Sequence, residues 1–315
     1  ILCQSISTTV KNTRHHIHSF LKELQPYDIP NSERIRIGTP DTDGGYVLFN
    51  GGLEDIEILY SYGVAENSDF EDMFCKKYNS IARLYDHTVN EAPIKRDFID
   101  FHKEGVGPEK NEDCNTLESH IAQNEDNNKK LILKMDVEGA EWDVLLQTPI
   151  ATLELFEQIV IEIHWLHSDG QNYNGKNLLK PIMKKKTDVL KKLNSLFYLY
   201  HVHAVNFSPF FYIDRFKLPQ ALELTFVNKK YFKSAGRSET IFATEADRPS
   251  WAKRKDMDLY FWPFYPGIIQ HVSNIFTQLG WRGWWKIIVL AFKLFVTKWK
   301  SFLIKLNLRR PQSYS

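Results

Sequence analysis

The chain has 315 residues, 43% of them hydrophobic, which suffices for one large globular domain with an appendage and excludes a disordered or fibrous protein. Its formal charge of +1 hides a partition: residues 259–315 hold eight basic residues and no acid, so the first 258 residues carry a net −7. An acidic main domain argues against nucleic acid as a partner and for a small-molecule or glycan substrate, with a separate basic tail that seeks anions.

From the N-terminus, Val10, Ile17, Phe20, Leu21 and Leu24 recur at helical spacing and predict a leading helix over 10–25 that closes before Pro26. Seven short apolar runs follow: GYVLFN (45–50), EILYSYG (57–63), IARLYD (81–86), LILKMD (131–136), QIVIEIH (158–164), YLYHVH (198–203) and LELTFVN (222–228). Stretches of helical character, such as 68–78 and 180–193, separate several of them. Strands alternating with helices predict an α/β fold whose sheet is mostly parallel and covered on both faces. Residues 106–130 are polar and read as solvated loops around one short helix. The boundaries that result are an N-terminal helical segment over 1–34, a main domain over 35–258 and a tail over 259–315. Cys3, Cys75 and Cys114 are odd in number and show no CxxC spacing. They point to a reducing compartment or at most one bridge, and with an N-terminus that has neither the basic start nor the apolar core of a signal peptide the expected location is the cytoplasm.

The stretch LILKMDVEGAEW (131–142) runs from a buried strand pattern straight into Asp136, Glu138 and Glu141. In open α/β sheets the carboxyl ends of the strands bind ligands, so Asp136 is expected on that edge, with Gly63, Asp86, Glu162, His164 and His203 at the ends of the other strands. Glu141 reads instead as an acid at the start of the following helix, where it complements the dipole. Glu162 and His164 lie two apart on one strand face, as do His201 and His203. Asp136, Glu162 and His203 together have the donor chemistry of a Mg²⁺ or Mn²⁺ site, which leaves His164 as base; the alternative is that these histidines are hydrogen-bonded groups with no metal.

The segments GTPDTDGGYVLFNG, LYSYGVAENSDFE, LYDHT, LKMDVEGAEWDVL and IVIEIHWL resemble the FkbM-like S-adenosylmethionine-dependent methyltransferases, including METTL-type relatives of that fold, over about residues 35–228. The resemblance implies a Rossmann-like class I methyltransferase fold with a seven-stranded sheet, and an O-methyltransferase acting on sugars or other small hydroxylated acceptors. It implies a cofactor site along Asp43, Gly44 and Gly45, then Tyr62, Gly63, Val64, Glu66 and Ser68, then Asp86, His87 and Asp136. Asp86 is expected to accept hydrogen bonds from ribose hydroxyls. Asp136 and His164 are the expected catalytic pair. The loop after the first core strand departs from the glycine-rich pattern of many methyltransferases, keeping Gly63 alone, with Ser68 or Asp69 to start the next helix.

In the tail, Arg282, Lys286, Lys293, Thr297 and Lys300 fall on one face of a helix at roughly 100° per residue, with Trp and Phe opposite. A spanning helix would bury Lys293 at a cost of about 2.5–3.5 kcal/mol, so the pattern predicts an interfacial helix over 268–306 that binds an anionic membrane surface. A helix docked on the core, or a span with snorkelling lysines, stands as the other option. WPFYPG (262–267) reads as the hinge. The expected protein is therefore a peripheral membrane methyltransferase acting on a glycan or lipid-linked saccharide. Two alternatives remain at this point: a metal-dependent glycosyltransferase using the DxD of Asp41 and Asp43, and an inactive membrane adaptor.

Overall fold

A computed structural model of the chain describes residues 14–40, 44–166, 179–213, 216–232 and 234–265. Seven strands rich in aliphatic, β-branched and aromatic residues make the central sheet: β1 Ile58–Tyr62, β2 Ile81–Tyr85, β3 Ile99–His102, β4 Leu131–Met135, β5 Phe156–Ile163, β6 Phe197–Ala204 and β7 Leu222–Asn228. Their spatial order is β6-β7-β5-β4-β1-β2-β3. β1 to β5 run parallel to one another, and β7 is antiparallel to both β5 and β6. This is the Rossmann-like α/β sheet of seven mostly parallel strands that the sequence predicts.

The two faces bury different sets of residues because side chains alternate along each strand. Leu59, Ala82, Leu84, Ile132 and Val160 pack against helix α1, Asp69–Tyr78, through Phe70 and Phe74. Ile58, Leu133, Ile161, Val202 and Leu224 face the other way, toward the leading helix over 14–23, α2 Leu117–Gln123, α3 Glu141–Gln147 and α4 Leu179–Leu196. Helix α1 is locally specified: Asp69, Glu71 and Asp72 fill its first turn, Lys76 and Lys77 its last, and Asn79 ends it in the left-handed conformation at φ 54°.

Two expectations change. The run 45–50 does form a strand, Tyr46–Phe49, but it pairs antiparallel with Arg34–Ile37 as a separate hairpin and not with the main sheet. This hairpin lies on the α1 face, where Gln158 exchanges hydrogen bonds with the Phe49 backbone and Thr225 donates to the Val47 carbonyl. The missing seventh strand is β3, whose four residues, IDFH, are too polar to stand out. Asp41, Asp43, part of the leading helix and the whole of 266–315 lie outside the described residues, so the interfacial helix does too.

Past the hairpin, the same sheet face turns polar, and the segment 238–258 covers it. Glu162, Glu223 and His203 sit in cross-strand register on β5, β7 and β6. His203 is fully buried and uses both ring nitrogens, Nδ1 with Glu223 at 3.0 Å and Nε2 with Asp256 at 2.9 Å. His201 bonds Asp247 at 2.8 Å, and the Ser250 hydroxyl donates to Glu223. Burial alone would raise the Asp247 carboxyl, but His201, His203 and the Thr244 N–H hold it well below the usual range. Burial alone would lower His203, yet Glu223, Asp256 and Asp247 push it well above the ordinary histidine value.

A histidine whose pKa rises on folding stabilises the native state fully below its unfolded value and loses that contribution as pH climbs through its folded value. His203→Gln should therefore cost most at roughly pH 6, on the order of 3 kcal/mol for a broken buried pair, and distinctly less at roughly pH 10. Urea denaturation of both proteins at the two pH values measures this; an equal cost at both would refute the charge assignment.

Candidate active site

The strand order reverses between β1 and β4, and the carboxyl ends on either side of that point open a crevice, as open α/β sheets do at a topological switch. Here it is a cavity of about 780 Å³. Gly63, one residue past β1, has φ 75°, and a Cβ there would lie 1.6 Å from the Asp136 carbonyl oxygen. The glycine is thus required by the backbone of the neighbouring strand end. Lys134, buried on β4, donates to the Gly63 carbonyl at 2.5 Å and ties the two ends together again.

Asp86, one residue past β2, fixes the next wall. One carboxylate oxygen accepts from the Val64 and Ala65 amides, both at 2.9 Å, and the other from the Thr88 amide at 2.7 Å and hydroxyl at 2.6 Å. Burial would raise this carboxyl, but the bonds from Thr88, Ala65 and Val64 bring it below the usual carboxylate range. A carboxylate has about four lone-pair sites, and all four are filled here by protein donors. At the far end, a Cβ on Gly105 would lie 2.6 Å from His87 Nδ1 and 2.8 Å from Cys114 Sγ, so this wall too closes on a bare backbone.

A second cavity of about 160 Å³ shares Asp136 and Glu138 with the first and adds Glu162, His164, Trp165 and Phe207. The three acids of the 131–142 stretch divide here. Glu141, fully buried, accepts from the Gly139 and His164 amides, each at 2.7 Å, and so braces the ends of β4 and β5. Asp136 and Glu138 face the seam between the cavities. His164 Nε2 lies 3.6 Å from Asp136, 3.7 Å from Glu138 and 3.0 Å from Glu162. The Tyr46 hydroxyl donates to the other Asp136 oxygen at 3.3 Å.

Burial by itself would lower His164, but Glu141 and Glu162 raise it to about 11. Glu162 is pushed up to about 8 by burial and then by Asp136. A ring pushed this far up is poorly suited to the role of base that the sequence suggests, and Asp136 and Glu138 are the carboxylates that face both cavities.

Of the expected cofactor residues, Gly44, Gly63, Val64, Glu66, Asp86, His87 and Asp136 line the large cavity. Tyr62 does not: strand alternation turns it to the opposite face, fully buried, with its hydroxyl on His120 Nδ1 at 3.0 Å. Ser68 is buried at the start of α1 and accepts from the Ile94 amide. Gly45 packs beneath the Arg36 guanidinium. Of the expected metal ligands, Asp136 and Glu162 lie beside His164, but His203 is two strands from Glu162, about 10 Å at the usual strand spacing, and both its nitrogens are engaged. Lys134, Tyr46 and Trp165 were not anticipated; the lysine inside the apolar run 131–135 was the available signal for the first.

Gly63→Ala should destabilise the protein by at least about 2 kcal/mol, because a left-handed alanine costs about 1–2 kcal/mol before the contact with Asp136 is added. An unchanged urea midpoint would show that the two strand ends are not in contact.

A profile described as the methyltransferase FkbM domain matches residues 40–200, just over half of the chain. No curated protein matches. Among solved structures, a fibrillarin pre-rRNA processing protein of Methanococcus jannaschii is similar at 12% identity and a TM-score of 0.32, over 64% of this chain and 87% of that one. On the profile match, which spans the crevice and both acid-bearing strand ends, the chain belongs to the FkbM methyltransferase domain family.

Proposed function

We propose that the protein is an S-adenosylmethionine-dependent O-methyltransferase that modifies a hydroxyl of a glycan or lipid-linked saccharide at a membrane surface. The observation that carries this reading is the seam: a cavity of about 780 Å³, within the range of small-molecule and cofactor sites, meets a small cavity lined by acids, Trp165 and Phe207. The large cavity fits the cofactor, with walls that close on bare backbone at Gly63 and Gly105. When bound, S-adenosylmethionine supplies a methyl group carried on a sulfonium. The small cavity suits a sugar, since an aromatic face packs on its C–H groups and carboxylates accept from its hydroxyls.

A sugar hydroxyl is a poor nucleophile at neutral pH and must lose its proton as it attacks. Asp136 receives that proton at the carboxylate oxygen reached by Tyr46. His164, held by Glu162 and Glu141, orients Asp136 from the other side. Asp86 acts through the loop, presenting Val64 and Ala65 to the cofactor.

Calorimetry with S-adenosylhomocysteine tests the cofactor. Because the Asp86 oxygens are taken by Val64, Ala65 and Thr88, this carboxylate is not free to accept from the ribose as the sequence suggests, and Asp86→Ala, which releases the Val64–Ala65 loop, should weaken binding about tenfold or more. Stabilisation by UDP- or GDP-sugars, and none by S-adenosylhomocysteine, would favour the glycosyltransferase alternative instead. Mass spectrometry of host glycans with and without the protein identifies the acceptor.

The membrane part of the proposal rests on the basic tail of 259–315. Among the described residues no helix is long and apolar enough to cross a membrane. Lys286→Glu, Lys293→Glu and Lys300→Glu combined should abolish co-sedimentation with anionic vesicles, and wild-type binding should weaken with salt over a Debye length of roughly 8 Å. A triple variant that sediments like wild type would leave the tail a spanning or core-docked role.

A further inference from the structure

The seam between the two cavities holds a group of donors that the proton transfer above does not require. Asp136, Glu138 and His164 each offer one ligand atom, and these atoms all lie within 4.8 Å of one another. A cation with bonds of about 2.0–2.2 Å separates neighbouring donors by ~3 Å and opposite ones by ~4.3 Å, so side-chain rotation about these positions brings the three donors onto one ion. We propose that Asp136, Glu138 and His164, the last through Nε2 with the cation taking the place of the ring proton, form a divalent cation site, with Glu141 beside Nδ1 as the carboxylate that holds the ring in place. The proposal rests on reading the small cavity as the acceptor end.

Three features support it. First, four carboxylates approach a single imidazole: Asp136, Glu138, Glu141 and Glu162 all come within 3.7 Å of its nitrogens. That density of carboxylate oxygens around one imidazole suits a divalent ion in place of the ring proton. Second, the carboxylate ligand atoms accept no hydrogen bond among the described residues. The Asp136 oxygen that faces His164 and both Glu138 oxygens accept no hydrogen bond from the described residues, while the second Asp136 oxygen keeps its Tyr46 donor for the proton of the acceptor. Third, the position is chemically useful, because Asp136 and Glu138 line both cavities and a cation between them would touch an acceptor oxygen at the boundary.

The donor set selects the ion. Two carboxylates with one imidazole, open to water on the Glu138 side, suit a borderline first-row ion such as Mn²⁺ better than the all-oxygen preference of Mg²⁺ or Ca²⁺. Glu141 stays outside the shell, since both its oxygens already hold backbone amides. His203 stays outside it too.

The test uses the full chain without cofactor or acceptor and follows free Mn²⁺ by electron paramagnetic resonance. One equivalent should bind, and Glu138→Gln, Asp136→Asn and His164→Gln should each weaken binding tenfold or more. The Glu138 side chain is exposed and makes no hydrogen bond among the described residues, so Glu138→Gln should melt like wild type and keeps the test meaningful if the other two variants fail to fold. No binding at millimolar Mn²⁺, or binding that Glu138→Gln leaves unchanged, overturns the site. S-adenosylhomocysteine binding is measured separately. Loss of Mn²⁺ binding with the nucleoside still bound refutes the cation alone, and Mn²⁺ binding without nucleoside binding refutes the methyltransferase chemistry while the cation site stands.

Discussion

The architecture depends on one close approach, the bare α-carbon of Gly63 against the carbonyl of Asp136. Two parallel strands normally leave room between the loops that follow them, but here β1 and β4 must diverge to opposite sides from adjacent positions. Without a side chain at 63, the first loop crosses the end of β4, and Lys134 seals the crossing from below. The crevice floor is then fixed backbone.

Burying so much charge beside that floor is costly, and the structure offsets the cost by engaging each group with opposite charge or with backbone amides. Asp86 is satisfied by amides and a threonine, Glu141 by two amides, His203 by two carboxylates. The exceptions cluster at the seam, where Asp136 and Glu138 are left open to the cavities. Non-glycine residues in the left-handed region stand at the same place: Ala65, Glu138 and Trp165 have φ of 46°, 54° and 53°. Conformations of that kind persist where the surrounding structure holds them, as it does when Trp165 donates to the Glu138 carbonyl and packs on Gly139.

The sheet was legible because its buried strands are apolar runs that end in polar residues at a common edge, and periodicity alone locates Ile58–Tyr62 or Leu131–Met135. The β3 strand escaped because Asp100 and His102 interrupt its pattern, and the hairpin strand Tyr46–Phe49 was assigned to the wrong sheet because a short run says nothing about its partner. The site was readable to the level of which strand end carries which acid. Which side chains meet was not, since that depends on strand order: β7 comes last in sequence yet inserts between β5 and β6, which removes His203 from Glu162. Tyr62 was misplaced by a simpler cause, the alternation that turns its ring to the other face.

That late insertion also bears on how the chain can be divided. β6 pairs with β7 alone, and β5 meets β7 on its outer side, so a fragment ending at residue 200, where the family match stops, would contain part of an outermost strand with nothing to bond to. It would also expose the flank of β5, a row of free amides and carbonyls of the kind that draws other chains into aggregates. The smallest unit able to fold as described must therefore run through Asn228, and through Asp256 if the buried histidines are to keep their partners.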